Sequence, residues 1–386
     1  MSRREFLKKA AVGAVGLGAG GYIVNELSKG KPESRPNGGS EVTAAPSELW
    51  KWSREAYDYR DLGGTVRCGL CPNTCSLQPG QRGICRVRVN HGGRLYSLVY
   101  GNPCSVHVDP IEKKPLFHFL PASKAFSIAT AGCNLRCLNC QNWEISQYPP
   151  EETENGELFP DAVVAGALQQ GCKSIAYTYN EPTIFYEYMY DTSVIAREEG
   201  VRNLWITNGH MNEEPLERFC TVLDAANVDL KGFRDNIYLE LNGGSLQPVL
   251  KTLKTLHENR IWFEITNLIV PTWTDDLDVI GEMSRWIVKN IGGDYPLHFS
   301  RFHPQYKLTK LPPTPLEVLT NARDIASDAG LNYVFVGNAP QLQLEDTICP
   351  RCGRTVIGRA GYRITENNLQ DGNCRFCGEA IAGVWM

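Results

Sequence analysis

The spacing of the cysteines is the feature that most constrains this chain. Eleven of its fourteen cysteines lie in three groups whose members are close in sequence. These groups are Cys68, Cys71, Cys75 and Cys85; Cys133, Cys137 and Cys140; and Cys349, Cys352, Cys374 and Cys377. Disulfide frameworks belong mainly to small secreted domains without a core, whereas this chain of 386 residues is 42% hydrophobic. Clustered thiols in such a chain indicate metal sites.

The central group has the spacing C-x3-C-x2-C, in the run A-G-C-N-L-R-C-L-N-C-Q-N-W. Three thiolates can hold three irons of a cubane iron–sulfur cluster. No fourth cysteine belongs to the group, so the fourth iron stays open to chelate the amino and carboxylate groups of S-adenosylmethionine (SAM). One electron from a [4Fe–4S] cluster can then cleave the sulfonium and release a 5′-deoxyadenosyl radical. The alternative is a zinc knuckle completed by a distant histidine or cysteine.

From residue 125 onward, short apolar runs alternate with helical stretches such as 161–170 and 315–329. The runs are rich in β-branched and aromatic residues and end at Gly, Asn or Pro, which is typical of strands. This alternation predicts an α/β fold with a parallel sheet, curled as a full or partial (β/α) barrel. The predicted strands are 125–130, 174–179, 203–207, 227–230, 262–270, 297–302 and 333–336.

Polar residues recur at the carboxyl ends of these predicted strands. Each alone has an ordinary explanation, such as a helix cap, an ion pair or a packed loop histidine. In barrel enzymes, however, this end carries the chemistry, and the recurrence therefore favours a catalytic face over a zinc knuckle. The candidates are Asn180, Glu181, Thr207, Asn208, Asp229, Lys231 and His303, with Asn139 on the cysteine loop.

Several long runs make the chain similar to a known family. They are G-N-P-C-S-V-H-V-D-P-I-E-K-K-P-L-F-H-F at 101–119, A-G-C-N-L-R-C-L-N-C-Q-N-W-E-I-S-Q at 131–147, Y-T-Y-N-E-P-T at 177–183 and V-D-L-K-G-F at 228–233. Over residues 68–386 the chain resembles the radical SAM enzyme of the AmmeMemoRadiSam system, a relative of the glycyl-radical-enzyme activases. The resemblance implies a [4Fe–4S] cluster, SAM, and Memo-like and AMMECR-like partner proteins.

The resemblance also implies roles for single residues. Asn180 and Glu181 stand in the turn that receives the amino group of SAM, and Thr207 and Asn208 in a Thr-Asn-Gly turn. Asp229 and Lys231 match an Asp-x-Lys motif near the methionyl group, and His303 a histidine close to the nucleoside. Some residues depart from the pattern: Asn139 replaces an aromatic residue, and Ile206 replaces an aspartate that helps activases bind a cation. Tyr179 and Asn180 also replace a Gly-Gly pair.

The outer cysteine groups have different spacings. Cys349, Cys352, Cys374 and Cys377 form two C-x2-C-G pairs, which predict a zinc ribbon; a rubredoxin-like iron or two disulfides are the alternatives. Cys68, Cys71, Cys75 and Cys85 read C-x2-C-x3-C-x9-C. This group predicts either a second iron–sulfur cluster, suited to electron delivery, or a zinc site.

The N-terminus resembles a twin-arginine export signal, because Arg3 and Arg4 precede a short apolar run at 10–24. A basic helix without a targeting role is the alternative. We expect export or membrane anchoring through this segment, and a cytoplasmic location if the signal is not used. The predicted organisation is a signal or anchor at 1–27, a linker at 28–56, a cysteine module at 57–120, a barrel at 121–344 and a zinc-ribbon-like module at 345–386.

These observations predict an enzyme that uses a radical to abstract hydrogen from an unknown substrate and needs an electron donor. A glycyl-radical-enzyme activase is one alternative, against which Ile206 counts. An iron–sulfur electron-transfer or metal-binding protein is another alternative. The polar residues that recur in order at the carboxyl ends of the predicted strands count against it. The formal net charge of −4 gives no reason to expect a nucleic-acid partner.

Overall fold

The computed structural model describes residues 46–386, so the predicted signal and most of the predicted linker lie outside the described residues. Six short strands form two small antiparallel sheets at the start of this range, in the orders β1-β6-β5 and β2-β3-β4. Hydrogen bonding of β1 to β6 extends the N-terminal module into the last residues of the predicted linker. The strands are β1 (Arg54–Glu55), β2 (Tyr59–Asp61), β3 (Val66–Cys68), β4 (Ser76–Leu77), β5 (Arg88–His91) and β6 (Arg94–Ser97).

A sheet of eight strands forms the centre of the molecule, and its spatial order follows the chain from β7 at one edge to β14 at the other. All neighbours from β8 to β14 pair in parallel, whereas β7 pairs antiparallel with β8. No strand pairing joins the two edges within residues 46–386, so the barrel is partial. The strands are β7 (Ser105–Pro110), β8 (Lys124–Ala129), β9 (Ser174–Tyr177), β10 (Arg202–Thr207), β11 (Ala225–Asp229), β12 (Trp262–Ile269), β13 (Leu297–Arg301) and β14 (Val334–Gly337).

The seven parallel strands confirm the seven predicted ones, with ends that agree within two residues. The sequence analysis missed β7, which the predicted division at 57–120 places in the cysteine module. In the structure β7 extends the central sheet, since Ser105 pairs with Ala129 and Pro110 with Lys124. The antiparallel edge therefore lies directly beside the strand that leads into the central cysteine group.

Helices connect the parallel strands and cover the sheet. Both predicted helices are confirmed, within one residue at each end, as α2 (Pro160–Gln169) and α8 (Leu316–Asp328). The side chain of Asp276 caps α7 (Leu277–Asn290) by accepting hydrogen bonds from the backbone N–H groups of Asp278 and Val279. The helices are α1 (Trp143–Ser146), α2 (Pro160–Gln169), α3 (Tyr186–Glu198), α4 (Glu213–Cys220), α5 (Asp235–Ile237), α6 (Leu246–Glu258), α7 (Leu277–Asn290) and α8 (Leu316–Asp328).

The C-terminal residues form a small module of short strands that packs against the barrel. Its apolar core joins Val356 and Ile357 to Phe117 and Phe335 of the barrel. None of the helices within residues 46–386 has the length and apolar character that a membrane crossing requires. The strands are β15 (Thr347–Ile348), β16 (Thr355–Ala360), β17 (Arg363–Asn367), β18 (Leu369–Gln370) and β19 (Asn373–Cys374).

Candidate active site

The central cysteine group lies on a loop between β8 and α1, at the carboxyl end of the first parallel strand. Asn180, which follows β9, fixes the start of this loop because its side-chain amide donates to the carbonyls of Thr130 and of Gly132, the latter at 2.7 Å. Gly132 itself has φ of +93°, a conformation that favours glycine. The sequence thus places Cys133 at a defined turn at the edge of the sheet.

The three thiols of this loop are partly buried and lie beside hydrogen-bond donors. The backbone N–H of Leu135 lies 3.4 Å from the Cys133 sulfur, and the Asn242 amide lies 3.3 Å from the Cys137 sulfur. The Cys140 sulfur lies 3.1 Å from the Ser146 hydroxyl. Burial raises the pKa of Cys133, and so do the nearby Glu181 charge and the other thiols. The thiolates therefore need a compensating positive charge, which metal ions supply.

The spacing of these sulfurs distinguishes a cluster from a single ion. Within residues 46–386, the C-terminal cysteines are the one group of three or more potential ligands whose atoms all lie within 4.8 Å of one another. The sulfurs of Cys133, Cys137 and Cys140 are therefore more widely spread than one zinc ion requires. A cubane keeps its ligand sulfurs farther apart than a single ion does. The donor set fits three irons of a [4Fe–4S] cluster.

Glu181 ties together the polar residues at the ends of β9 and β10. One carboxylate oxygen accepts from the Thr183 backbone N–H at 2.9 Å and from the Thr207 hydroxyl at 2.8 Å. The other accepts from the Asn208 backbone N–H at 2.7 Å. The Asn208 side chain in turn donates to Asn134 on the cysteine loop at 2.8 Å. Burial raises the pKa of Glu181, and these hydrogen bonds oppose the rise.

Asp229 and Lys231 form an ion pair of 2.7 Å at the end of β11. Burial opposes the charge of Lys231, but the Asp229 carboxylate and the Cys137 sulfur outweigh it and raise the pKa of the ammonium group. The pair therefore holds a fixed positive charge beside one of the candidate cluster ligands.

A π-helical turn at Tyr238–Asn242 supports the cysteine loop from the other side. The carbonyls of Asn242 and Leu241 accept the backbone N–H groups of Arg136 and Leu138 at 2.8 and 2.9 Å. π-helical turns occur frequently at functional sites. Sequence reasoning missed Asn242 because no local pattern links it to Cys137, which lies 105 residues earlier.

The loop that follows β13 contains His303 and contacts the cysteine loop near Asn139. Gln305 donates to the Asn139 carbonyl at 3.2 Å, and the Tyr306 and Trp143 rings stack at 5.3 Å. The His303 side chain is exposed. The structure thus brings the β13 loop to the cysteine loop through Gln305 and Tyr306, neither of which the sequence analysis singled out.

Several amide oxygens near the loop lack partners. Those of Asn139, Asn180 and Asn242 are buried and accept no hydrogen bond from any described residue. Orphaned buried acceptors are rare in folded proteins and call for a donor. The ammonium and hydroxyl groups of SAM are donors, so this edge of the sheet has residues that fit the molecule.

A further polar group that sequence reasoning missed lies where β7 meets the end of β9. The buried Lys114 ammonium lies 2.6 Å from Asp109 and 4.4 Å from the centre of the Tyr179 ring. The Tyr179 hydroxyl also donates to Asp109. Burial lowers the pKa of Lys114 to about 8, although the charge of Asp109 opposes this. Tyr179 has φ of +67°, a strained value of the kind that clusters at functional sites.

The C-terminal cysteines have the geometry of a single tetrahedral ion. The sulfurs of Cys349 and Cys377 lie 3.6 Å apart, and those of Cys352 and Cys374 lie 3.8 Å apart. Zn–S bonds of about 2.3 Å in a tetrahedron place ligand sulfurs about 3.8 Å apart. These four thiols can therefore hold one metal ion such as zinc.

The predicted Cys68, Cys71, Cys75 and Cys85 group also comes together, at the junction of the N-terminal module and the barrel. A separate cavity of about 280 Å³ lies beside the loop that follows Lys231. Its wall includes Asn267, whose side-chain oxygen is buried without a partner among the described residues, and Trp273.

Comparison with known proteins agrees with this geometry. The profile of the Radical SAM superfamily matches residues 127–282, which include the central cysteine loop and the strands that follow it. An uncharacterized protein of Methanocaldococcus jannaschii is 47% identical over 331 residues, which cover 85% of this chain and 98% of that protein.

Two further similarities are more distant. The pyruvate formate-lyase 1-activating enzyme of Escherichia coli is 23% identical over 224 residues, covering 53% of this chain and 89% of the enzyme. The crystal structure of a radical SAM methyltransferase from Sphaerobacter thermophilus aligns with a TM-score of 0.45 and 14% identity, covering 61% of this chain and 71% of that one.

Proposed function

Because the chain belongs to the radical SAM superfamily and is an enzyme of that class, we propose that it cleaves SAM reductively and abstracts hydrogen from an organic substrate. Cys133, Cys137 and Cys140 hold the [4Fe–4S] cluster in this proposal. With SAM bound, the cluster supplies a 5′-deoxyadenosyl radical. The observation that carries the proposal is a trio of partly buried thiols, spread too widely for one ion, on a loop beside orphaned amide oxygens.

The surrounding residues hold this arrangement in place. Asn180 fixes the start of the loop through its amide, while its free oxygen is an acceptor for the ammonium group of SAM. Glu181 keeps the Thr207–Asn208 turn against the loop through its hydrogen bonds. The positive charge of Lys231 offsets part of the negative charge of the thiolates. Such preorganised contacts need no rearrangement during the reaction.

An activase acting on a glycyl-radical enzyme is the second candidate, since one relative is the activating enzyme of pyruvate formate-lyase. Ile206 counts against a shared cation site. Its side chain packs with an apolar cluster that includes Ala176 and Leu204. An isoleucine offers a cation no ligand atom, so we favour a substrate other than a glycyl-radical enzyme.

We also propose that the enzyme works in the AmmeMemoRadiSam system, with Memo-like and AMMECR-like proteins as partners and a low-potential electron donor. The runs at 101–119 and 131–147 support this assignment. The twin-arginine pattern at Arg3 and Arg4 supports export or anchoring of the chain; without use of that signal the enzyme stays in the cytoplasm.

The test is the formation of 5′-deoxyadenosine. Anaerobically reconstituted protein, reduced with dithionite and supplied with SAM, should release it. A Cys137→Ala variant should form none above background, because one cluster ligand is lost. The matched control is Cys172→Ala, which removes a buried thiol outside the cysteine groups and should retain product formation. Wild-type protein with its full iron complement and no product would contradict the proposal.

A further inference from the structure

The four cysteines of the N-terminal module line one cavity. Cys68 ends β3, Cys71 and Cys75 lie on the turn between β3 and β4, and Cys85 precedes β5. Their side chains border a common space at the junction with the barrel, together with Arg88 and Asn134. A Cβ atom added at Gly83 would lie 3.6 Å from the Cys85 sulfur and 3.7 Å from the Cys75 sulfur. The fold therefore brings four thiols to one place, and none of them forms a disulfide.

The spread of the sulfurs separates the two kinds of metal site in this molecule. The C-terminal sulfurs lie close enough for one ion, whereas no three of the N-terminal sulfurs lie within 4.8 Å of one another, as judged over residues 46–386. In this respect the N-terminal group resembles the central loop. Four thiolates spread more widely than a single ion requires can form the complete ligand set of a [4Fe–4S] cluster.

Arg88 provides a second, independent observation. Its side chain is only 3% exposed and pairs with Glu187 at 2.6 Å through a terminal nitrogen. Its Nε atom borders no acceptor among the described residues although it is buried. An orphaned buried donor on the wall of the cavity calls for an acceptor inside it. The sulfides and the metal-bound thiolates of an iron–sulfur cluster are such acceptors.

We propose that Cys68, Cys71, Cys75 and Cys85 bind a second [4Fe–4S] cluster. This cluster lies against the catalytic loop: Asn73 donates to the Asn134 carbonyl at 2.8 Å, and the Cys85 carbonyl packs on Gly132. All four irons have protein ligands, so none is left open for SAM. The metal content of this site does not depend on the proposed SAM cleavage.

The first experiment removes the catalytic cluster and leaves the second. The full-length triple variant Cys133→Ala/Cys137→Ala/Cys140→Ala is reconstituted anaerobically with iron and sulfide, and its iron, acid-labile sulfide and zinc are measured. We expect about four irons and about four sulfides per chain, with a rhombic electron paramagnetic resonance signal after reduction. An iron-free triple variant, with zinc or with no metal beyond the C-terminal ion, would overturn the proposal.

A second experiment guards against misfolding of the triple variant. Cys71→Ser in the otherwise native chain should lower iron by about half from about eight per chain, and Cys104→Ser should leave it unchanged. Cys104 is a matched control because it is a partly buried thiol outside the three groups. Loss of zinc instead of iron from Cys71→Ser would assign the site to zinc. SAM cleavage is measured separately, so its absence does not affect either result.

Discussion

Gly132 occupies the point where the N-terminal module touches the catalytic loop. Its φ of +93° lies in the region that L side chains rarely adopt. A Cβ atom there would lie 2.5 Å from the Cys85 carbonyl oxygen and 2.7 Å from a Val87 methyl group. One residue therefore sets both the turn before Cys133 and the close approach of the module.

Replacing Gly132 with alanine should consequently destabilise the protein and loosen both cysteine groups. We expect a loss of more than about 2 kcal/mol in the free energy of unfolding, because the clash adds to about 1 kcal/mol of backbone strain. Gly171→Ala is the control, since Gly171 also has positive φ but an added Cβ meets no atom within 4 Å. Urea unfolding and iron content measure both effects. Equal losses in the two variants would show that the contact with Cys85 is unimportant.

At the level of single residues, the sequence predicts the ligands better than it predicts what surrounds them. The cysteines are recognisable because their spacing is local. Asn242, Ser146 and Lys114 carry no such signal, since Asn242 meets Cys137 only through the tertiary fold. His303 matches a family position, yet its side chain is exposed. Contacts between strand ends depend on packing that spacing alone does not determine.

Among the structural elements, the ends of β9 and β10 are joined by one carboxylate. Glu181 accepts backbone N–H groups from Thr183 and Asn208 and is fully buried. Charge-assisted hydrogen bonds of this type are stronger than neutral ones. The orientation of the Asn208 turn toward the cysteine loop therefore depends on the negative charge of Glu181.

The substitution Glu181→Gln tests this dependence. A glutamine amide nitrogen would face a donor where the carboxylate now accepts, and we expect a loss of about 1–3 kcal/mol in unfolding free energy together with weaker SAM binding. Glu213→Gln, at an exposed pair with Lys251, should cost less than about 1 kcal/mol. Isothermal titration with SAM and urea unfolding give the two readouts. Unchanged values for Glu181→Gln would remove its positioning role.

The elements themselves differ in how well the sequence predicts them. The parallel strands are predictable because they are buried on both faces and read as continuous apolar runs, as in Ser174–Tyr177. The edge strand Ser105–Pro110 contains a buried aspartate and ends in proline, which argue against a strand. Its pairing with β8 reveals it only in the folded sheet.

On the scale of the whole molecule, the segment at 117–120 links the barrel to the C-terminal module. The His118 ring contacts the Ala382 carbonyl at 2.7 Å and the Thr347 hydroxyl at 2.9 Å. Its backbone carbonyl accepts the Val384 N–H at 2.7 Å. Glu264 of the barrel accepts the His118 backbone N–H at 2.7 Å. A single histidine thus lies between the two parts.

This position makes the stability of the molecule depend on pH. Burial lowers the pKa of His118 to about 4, although the Glu264 charge opposes the shift. Since the ordinary value is 6.5, the unfolded chain binds a proton between pH 6.5 and 4 that the folded chain does not. The contribution to stability is therefore present above pH 6.5 and is lost as the pH falls toward 4.

The variant His118→Phe removes this proton uptake. Between pH 7.5 and 5, its unfolding free energy should fall by about 2 kcal/mol less than that of the wild type, even though the variant is less stable at pH 7.5. Thr347→Val is the matched control, because it loses the hydrogen bond to the ring but keeps the imidazole. Urea unfolding at pH 7.5 and at pH 5 gives the change in unfolding free energy with pH, which is the slope compared between the variants. If His118→Phe retains the wild-type slope, the junction between barrel and module is not the pH-sensitive part of the fold.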